Sequence, residues 1–178
     1  MECGSISVPL DYAEPTGPHI KLALARIPAS GTSEGVLLTN PGGPGGSGIE
    51  LLRDATDVFP AAIRSSFDLI SWDPRGVGQS APVTCSDDLD AFYAVNRHVQ
   101  TGAVVAQNVA ATKTFVNGCK QNSARILPYV STDASARDMD AIRAAIGVPQ
   151  ITYVGFSYGT FLGALYANLF PKHVRAMV

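Results

Sequence analysis

The stretch Gly155-Phe-Ser157-Tyr-Gly159 sets a serine between two glycines, after the apolar run 151–154 and before a helix-like run over 158–170. A G-x-S-x-G pattern in that setting suits a nucleophile. A sharp strand-to-helix turn lifts the hydroxyl above a sheet, and side chains at the flanking positions would clash. The turn aims the N–H of Tyr158 at the same space, where a helix N-terminus adds partial positive charge. Five residues alone are a weak signal, because an ordinary βα turn can match them by chance. The strand before, the helix after and Gly163 for close helix–sheet packing supply the context the motif requires. Ser157 is the candidate nucleophile.

A second stretch, Asn40-Pro-Gly-Gly-Pro-Gly-Gly-Ser-Gly48, follows the apolar run 35–39 directly. Its glycines leave backbone N–H groups bare. One reading is a phosphate cradle, but the Gly-Lys-Ser/Thr ending of a P-loop and the G-x-G-x-x-G spacing are both missing. The other is half of an oxyanion hole, which draws one N–H from the residue after the serine and one from a loop after an earlier strand. Losing one such donor typically costs about 3 kcal/mol of barrier. A plain flexible linker would have no reason to begin at the end of a buried strand. A third stretch, Trp72-Asp-Pro-Arg-Gly-Val-Gly-Gln-Ser80, also follows a strand-like run. Asp73 and Arg75 are placed to make a local ion pair that shapes the loop, and the stretch reads best as a polar turn without catalytic duty that shapes the rim of the site.

The elements that must position these stretches follow from periodicity. Residues 5–10 and 19–27 read as two short strands joined by a turn-rich segment. Ile20, Leu22 and Leu24 alternate with Lys21, Ala23 and Ala25, a half-buried strand pattern. Runs 35–39, 67–72 and 151–154 are short, apolar and bounded by Gly, Pro or Asp, as buried parallel strands are. Helices fit between them at 49–58, 134–146 and 158–170. Thr132 or Asp133 is placed to cap the second, and Gly147 with Pro149 to end it. The order predicts an α/β fold with a mostly parallel sheet. A segment at about 81–131 breaks the alternation and reads as a mostly helical insertion. Residues 174–178 read as the start of another strand.

Composition agrees with a loop-rich globular chain: 46% hydrophobic and 16% charged over 178 residues, with a formal net charge of −2. No basic face points to nucleic acid, no run is long and apolar enough for a membrane span, and no pattern implies a metal or cofactor. The N-terminus has neither a basic n-region nor an apolar h-region, so it is not a signal peptide. Of three cysteines, Cys85 and Cys119 bracket the insertion. Two buried thiols and a disulfide are both compatible with that spacing, and a bridge there would stabilise by roughly 4 kcal/mol on the chain-entropy model.

Val8-Pro-Leu-Asp-Tyr12, the three stretches above, Gly155-Phe-Ser-Tyr-Gly-Thr160 and Leu169-Phe-Pro171 together resemble the proline iminopeptidase and tripeptidyl aminopeptidase family of α/β-hydrolases. The similarity is to its secreted actinobacterial branch. The resemblance runs over nearly the full chain. It implies an α/β-hydrolase fold with helices on both faces, and a serine peptidase that releases residues or short peptides from a peptide N-terminus. It implies Ser157 as nucleophile and Gly43 and Tyr158 as oxyanion donors. It also implies that Cys85 and Cys119 form the disulfide of that branch, and it points to a secreted or extracytoplasmic location.

In this fold the triad runs Ser, then Asp or Glu, then His. Residues 157–178 hold no Asp or Glu, and His19 and His98 precede the serine. His173 follows it, but between a helix end and a strand start, on the wrong side of the sheet. Residues 1–178 are therefore expected to be the N-terminal part of a catalytic domain, cut after the nucleophile helix. They are expected to be inactive alone and to need a C-terminal half supplying Asp and His. A non-enzymatic truncated remnant, and an esterase or lipase of the same fold, are the alternatives.

Overall fold

A computed structural model describes residues 1–94 and 101–178. Met1–Ala81 together with Tyr129–Val178 forms one compact unit, and Pro82–Pro128 forms another. The first unit holds the strands β1 (Glu2–Pro9), β2 (His19–Ile27), β3 (Val36–Asn40), β4 (Asp68–Trp72), β5 (Ile151–Gly155) and β6 (Val174–Met177). They lie in the order β1-β2-β4-β3-β5-β6 in one sheet. β1, β2 and β4 pair antiparallel, with Val8 opposite Ile20 and Leu24 opposite Trp72. The rest is parallel: Leu37 of β3 faces Leu69 of β4 and Thr152 of β5, and β6 extends β5. The short apolar runs of the sequence are thus the buried strands they were expected to be.

Side chains alternate across a strand, and each face of the sheet takes its own helices. Ala25, Leu37 and Leu69 pack with Ile49 and Leu52 of α1 (Gly48–Arg53), Ala55 of α2 (Ala55–Val58) and Phe59. Ile63 of α3 (Ala61–Ser66) borders that cluster. The opposite-facing Leu38, Ile70 and Tyr153 are buried too. On that side run α6 (Thr132–Ala145), with Ala136, Met139 and Ile142 buried, and α7 (Tyr158–Leu169), with Leu162 and Tyr166 buried. A Cβ on Gly163 would come within 2.7 Å of the Tyr153 ring, so α7 packs on β5 as closely as its backbone allows. Each such fully buried aliphatic side chain contributes about 1.5–3 kcal/mol.

Three local expectations change. The helix expected over 49–58 is two short helices, because the chain turns at Asp54, whose backbone is non-helical (φ −95°, ψ 16°). α3, only six residues long, carried no periodic signal. The start of α6 is capped by Ser131, whose hydroxyl accepts from Ala134 N at 3.1 Å, and not by Thr132 or Asp133. Asp133 instead pairs with Arg137 one turn on, at 2.8 Å.

The pairing expected between Asp73 and Arg75 is also corrected. Arg75 is fully buried and forks onto Asp138 of α6, with both contacts at 2.7 Å. Its remaining N–H groups reach Leu10 O, Pro9 O and Tyr129 O, while Tyr12 Oη donates to Asp138. Burial penalises the Arg75 cation, but the hydrogen bonds and charge of Asp138 outweigh that and hold it above its ordinary value. Burial, then the Asp138 charge, pushes the Tyr12 hydroxyl well up, so it stays a neutral donor. A two-point guanidinium–carboxylate fork with every donor used satisfies the condition for a buried ion pair.

The second unit contains α4 (Leu89–Tyr93) and α5 (Gly102–Ser123), the latter capped by Thr101. Cys85 and Cys119 are joined by a disulfide. A Cβ on Gly118 would overlap the Cys85 carbonyl, so the helix meets that segment through a residue without a side chain. Ser123 Oγ accepts from Thr84 N and donates to Thr84 O. Among the described residues, no helix is long and apolar enough to cross a membrane.

Candidate active site at the start of the seventh helix

β5 ends at Gly155, and α7 begins at Tyr158 with Ser157 as the residue before it. Ser157 has φ 51° and ψ −120°, a combination that side chains avoid. Such a residue costs on the order of 1–3 kcal/mol and persists only when its surroundings over-determine it. Here they do. Phe156 N donates to Asn40 O at 3.0 Å, Gly159 N to Phe156 O at 2.7 Å, and Thr160 N and Oγ1 both to Ser157 O. Tyr153 Oη donates to Gly159 O at 2.9 Å. A Cβ on Gly155 would overlap the Gly159 carbonyl, which is the steric demand the motif anticipates. Ser157 is left exposed, and its hydroxyl takes no partner among the described residues.

Donors gather beside it. Tyr158 N–H, at the first turn of α7, has no protein acceptor among the described residues. The 41–48 loop comes up against this turn: a Cβ on Gly42 would overlap Phe156 O and lie 2.9 Å from Tyr158 N. Gly42, Gly43 and Gly45 all have positive φ, so only glycine suits the loop's path. Gly43 N–H also lacks an acceptor among the described residues. Asn40, buried at the end of β3, accepts from Gly42 N through Oδ1 at 2.9 Å; its own Nδ2 finds no partner among the described residues. Tyr158 reaches across to Thr132 at the start of α6, their hydroxyls 2.8 Å apart. The rim carries exposed aromatic surface from Phe156 and Phe161. The geometry thus brings Ser157, Tyr158 N–H and the glycine loop together.

The histidines are elsewhere. His173 follows the C-terminal end of α7, about 18 Å along a 12-residue helix from Ser157. Its Nδ1 is 2.6 Å from Asp140, and its ring stacks on Phe170. His19 stands at the start of β2 against Gly17 O. His98 lies outside the described residues. Asp140 also accepts from Arg143 and Tyr166. Burial works to raise its carboxyl, but the hydrogen bonds from Arg143 and His173 outweigh that and hold it below the usual range. Among the described residues no three His, Cys, Asp or Glu side chains cluster as a metal site.

The role of Asp73 was missed by local reasoning. It is buried, and it accepts from Ser47 Oγ at 2.5 Å, Ile49 N at 3.4 Å and Gln79 N at 2.9 Å. The only sequence signal was a carboxylate followed at once by glycine-rich chain. A Cβ on Gly78 would overlap that carboxylate.

A mostly parallel sheet with a βα elbow at its fifth strand defines a hydrolase architecture, and residues 35–178 match the family model described as alpha/beta hydrolase fold. The chain belongs to that family. It is 42% identical over its whole length to the tripeptidyl aminopeptidase of Streptomyces lividans. Over 99% of its length it is 43% identical to the serine protease Hip1 of Mycobacterium tuberculosis (strain ATCC 25618 / H37Rv). It covers 34% and 35% of those two proteins, so the chain spans about a third of the relatives it matches. Among solved structures, 98% of the chain superposes on 42% of the proline iminopeptidase of Mycobacterium smegmatis, with a TM-score of 0.56 at 15% identity.

Proposed function

We propose that these residues carry the nucleophile and oxyanion donors of a serine hydrolase that releases residues or short peptides from peptide N-termini. The observation that carries this is the strained, exposed Ser157 beside the unpartnered Tyr158 N–H. Ser157 Oγ would attack the scissile carbonyl carbon and pass its proton to a histidine base. The carbonyl oxygen would become an oxyanion held by the N–H groups of Tyr158 and Gly43. Collapse would expel the amine, which takes the proton, and water would then cleave the ester to the enzyme.

The acid and the histidine belong to sequence beyond Val178 in this proposal. Residues 1–178 then form the N-terminal part of the catalytic domain, with an insertion at about 81–131. The names of the two relatives support peptides as substrates. The Cys85–Cys119 disulfide supports an oxidising, extracytoplasmic location.

The test is turnover of tripeptidyl- and aminoacyl-nitroanilides against simple nitrophenyl esters, using protein expressed from its complete gene and its Ser157→Ala variant. The proposal expects cleavage of the peptide substrates that is lost in the variant. Ester-only turnover would replace the peptidase with an esterase. Turnover that survives Ser157→Ala would remove the nucleophile, and no turnover at all would leave a non-enzymatic remnant.

A further inference from the structure

The loop that carries Gly43 is unusually rich in glycine for a stretch asked to hold one N–H in place. Five of its eight residues, 41–48, are glycine, and three of those have positive φ. Such chain has the most conformational freedom to lose, so something must hold it if one N–H is to point in a fixed direction. Its start is pinned by Asn40, and Gly46 N closes a turn onto Gly42 O at 3.0 Å, with Gly43 inside that turn.

Its end is pinned by Asp73, the first residue after β4. Ser47 donates its hydroxyl to Asp73 Oδ1, and Ile49 N reaches the same oxygen. A Cβ on Gly48 would overlap Ser71 Oγ and Trp72 O, so the loop end lies directly against the end of β4. Asp73 Oδ2 takes Gln79 N and locks the neighbouring loop to the same carboxylate. Asp73 is 1% exposed and has no cation partner among the described residues. A buried carboxylate with only neutral donors is costly to maintain, more than a solvent-facing turn requires.

We propose that Asp73 is a positioning residue for the reaction at Ser157. By gripping Ser47 and Ile49 it fixes the C-terminal end of the glycine loop, and through the Gly42–Gly46 turn it fixes the direction of the Gly43 N–H. The proposal rests on the reading of Ser157 as nucleophile with Gly43 as donor. It explains why Ser47 both starts α1, accepting from Glu50 N at 3.2 Å, and donates to Asp73. One hydroxyl couples the helix, the loop and the carboxylate.

The experiment compares Asp73→Asn, Ser47→Ala and Ser47→Thr in protein expressed from its complete gene. Three quantities are read: kcat and KM on the best peptide or ester substrate, the melting temperature, and residue-level amide exchange. Misplacing a catalytic donor by an ångström can cost about 100-fold. Asp73→Asn should therefore lower kcat by roughly 10–100-fold with KM within about threefold. Ser47→Ala should lower kcat by about tenfold, and Ser47→Thr, which keeps the hydroxyl, should restore it. Exchange at Gly46 and Ile49 should quicken about tenfold or more while β3 and β5 amides stay protected.

An unchanged kcat in both Asp73→Asn and Ser47→Ala overturns the proposal, and so does a loss that merely tracks the folded fraction. If Asp73→Asn does not fold, the two Ser47 variants decide. If the wild type turns over nothing, the reading of Ser157 fails and exchange alone decides the anchoring. Faster Gly46 and Ile49 amides then support it, and unchanged ones overturn it.

Discussion

The two ends of α7 (Tyr158–Leu169) carry residues from the same chemical repertoire and treat them in opposite ways. At the N-terminal end Ser157 is strained and exposed, and among the described residues neither its hydroxyl nor the adjacent Tyr158 N–H has a partner. At the C-terminal end a histidine and an aspartate sit 2.6 Å apart, a pair that could pass for catalytic. There, however, Asp140 is shared among Arg143, Tyr166 and His173, and the His173 ring is stacked on Phe170. The first end leaves hydrogen-bonding capacity unused and holds it rigidly, while the second spends it on fastening α6, α7 and the turn before β6. An unused donor beside a strained, exposed serine is evidence for a site. A proximate pair whose carboxylate is already shared among three donors is evidence for a joint.

The largest expected effect breaks the first end. Ser157→Ala should abolish turnover, a loss of about 10³-fold or more in kcat/KM, with the fold retained by near-ultraviolet circular dichroism. The next concerns a joint taken to its limit. Asp138→Ala leaves the buried Arg75 cation uncompensated and should cost about 3–5 kcal/mol in urea unfolding, because a buried pair broken on one side loses most. A milder sharpening is Ser157→Gly. It should raise the unfolding free energy by about 1 kcal/mol while removing activity, since glycine adopts this φ without strain.

The smallest effect belongs to the C-terminal joint. The Asp140 carboxyl is held below its ordinary range, so its contribution is present above about pH 4 and fades as pH falls through the lowered folded value. Asp140→Asn should thus cost up to about 1 kcal/mol at neutral pH, since partly exposed pairs contribute little. The gap between variant and wild type should close in acid, as followed by urea titration at pH 3 and pH 7. A gap that widened in acid would reverse the assigned direction.

Much of this was legible along the chain because it is local. The strands announce themselves as apolar runs, and the elbow as a serine spaced by glycines after one of them. Its strain is foreseeable, since the residues demanding it are adjacent in sequence. The pairings that lock the loops were not legible. Arg75 finds its carboxylate 63 residues away in Asp138, so the nearby Asp73 was the wrong partner. Asp73 in turn is matched to a serine 26 residues earlier. Periodicity reports which face of an element is buried, but says nothing of which buried charge will meet which. The break at Asp54 and the capping by Ser131 fall between these extremes, as choices among neighbouring polar residues that tertiary packing settles.

The central question is whether Ser157 is built as a nucleophile or only as a tight turn. Treating protein expressed from its complete gene with a fluorophosphonate and mapping the adduct by peptide mass spectrometry tests this directly. A nucleophilic Ser157 should be the single phosphonylated residue, with no adduct in Ser157→Ala and none when the protein is unfolded before treatment. Phosphonylation at another serine, or equal labelling of the native and unfolded protein, would contradict it.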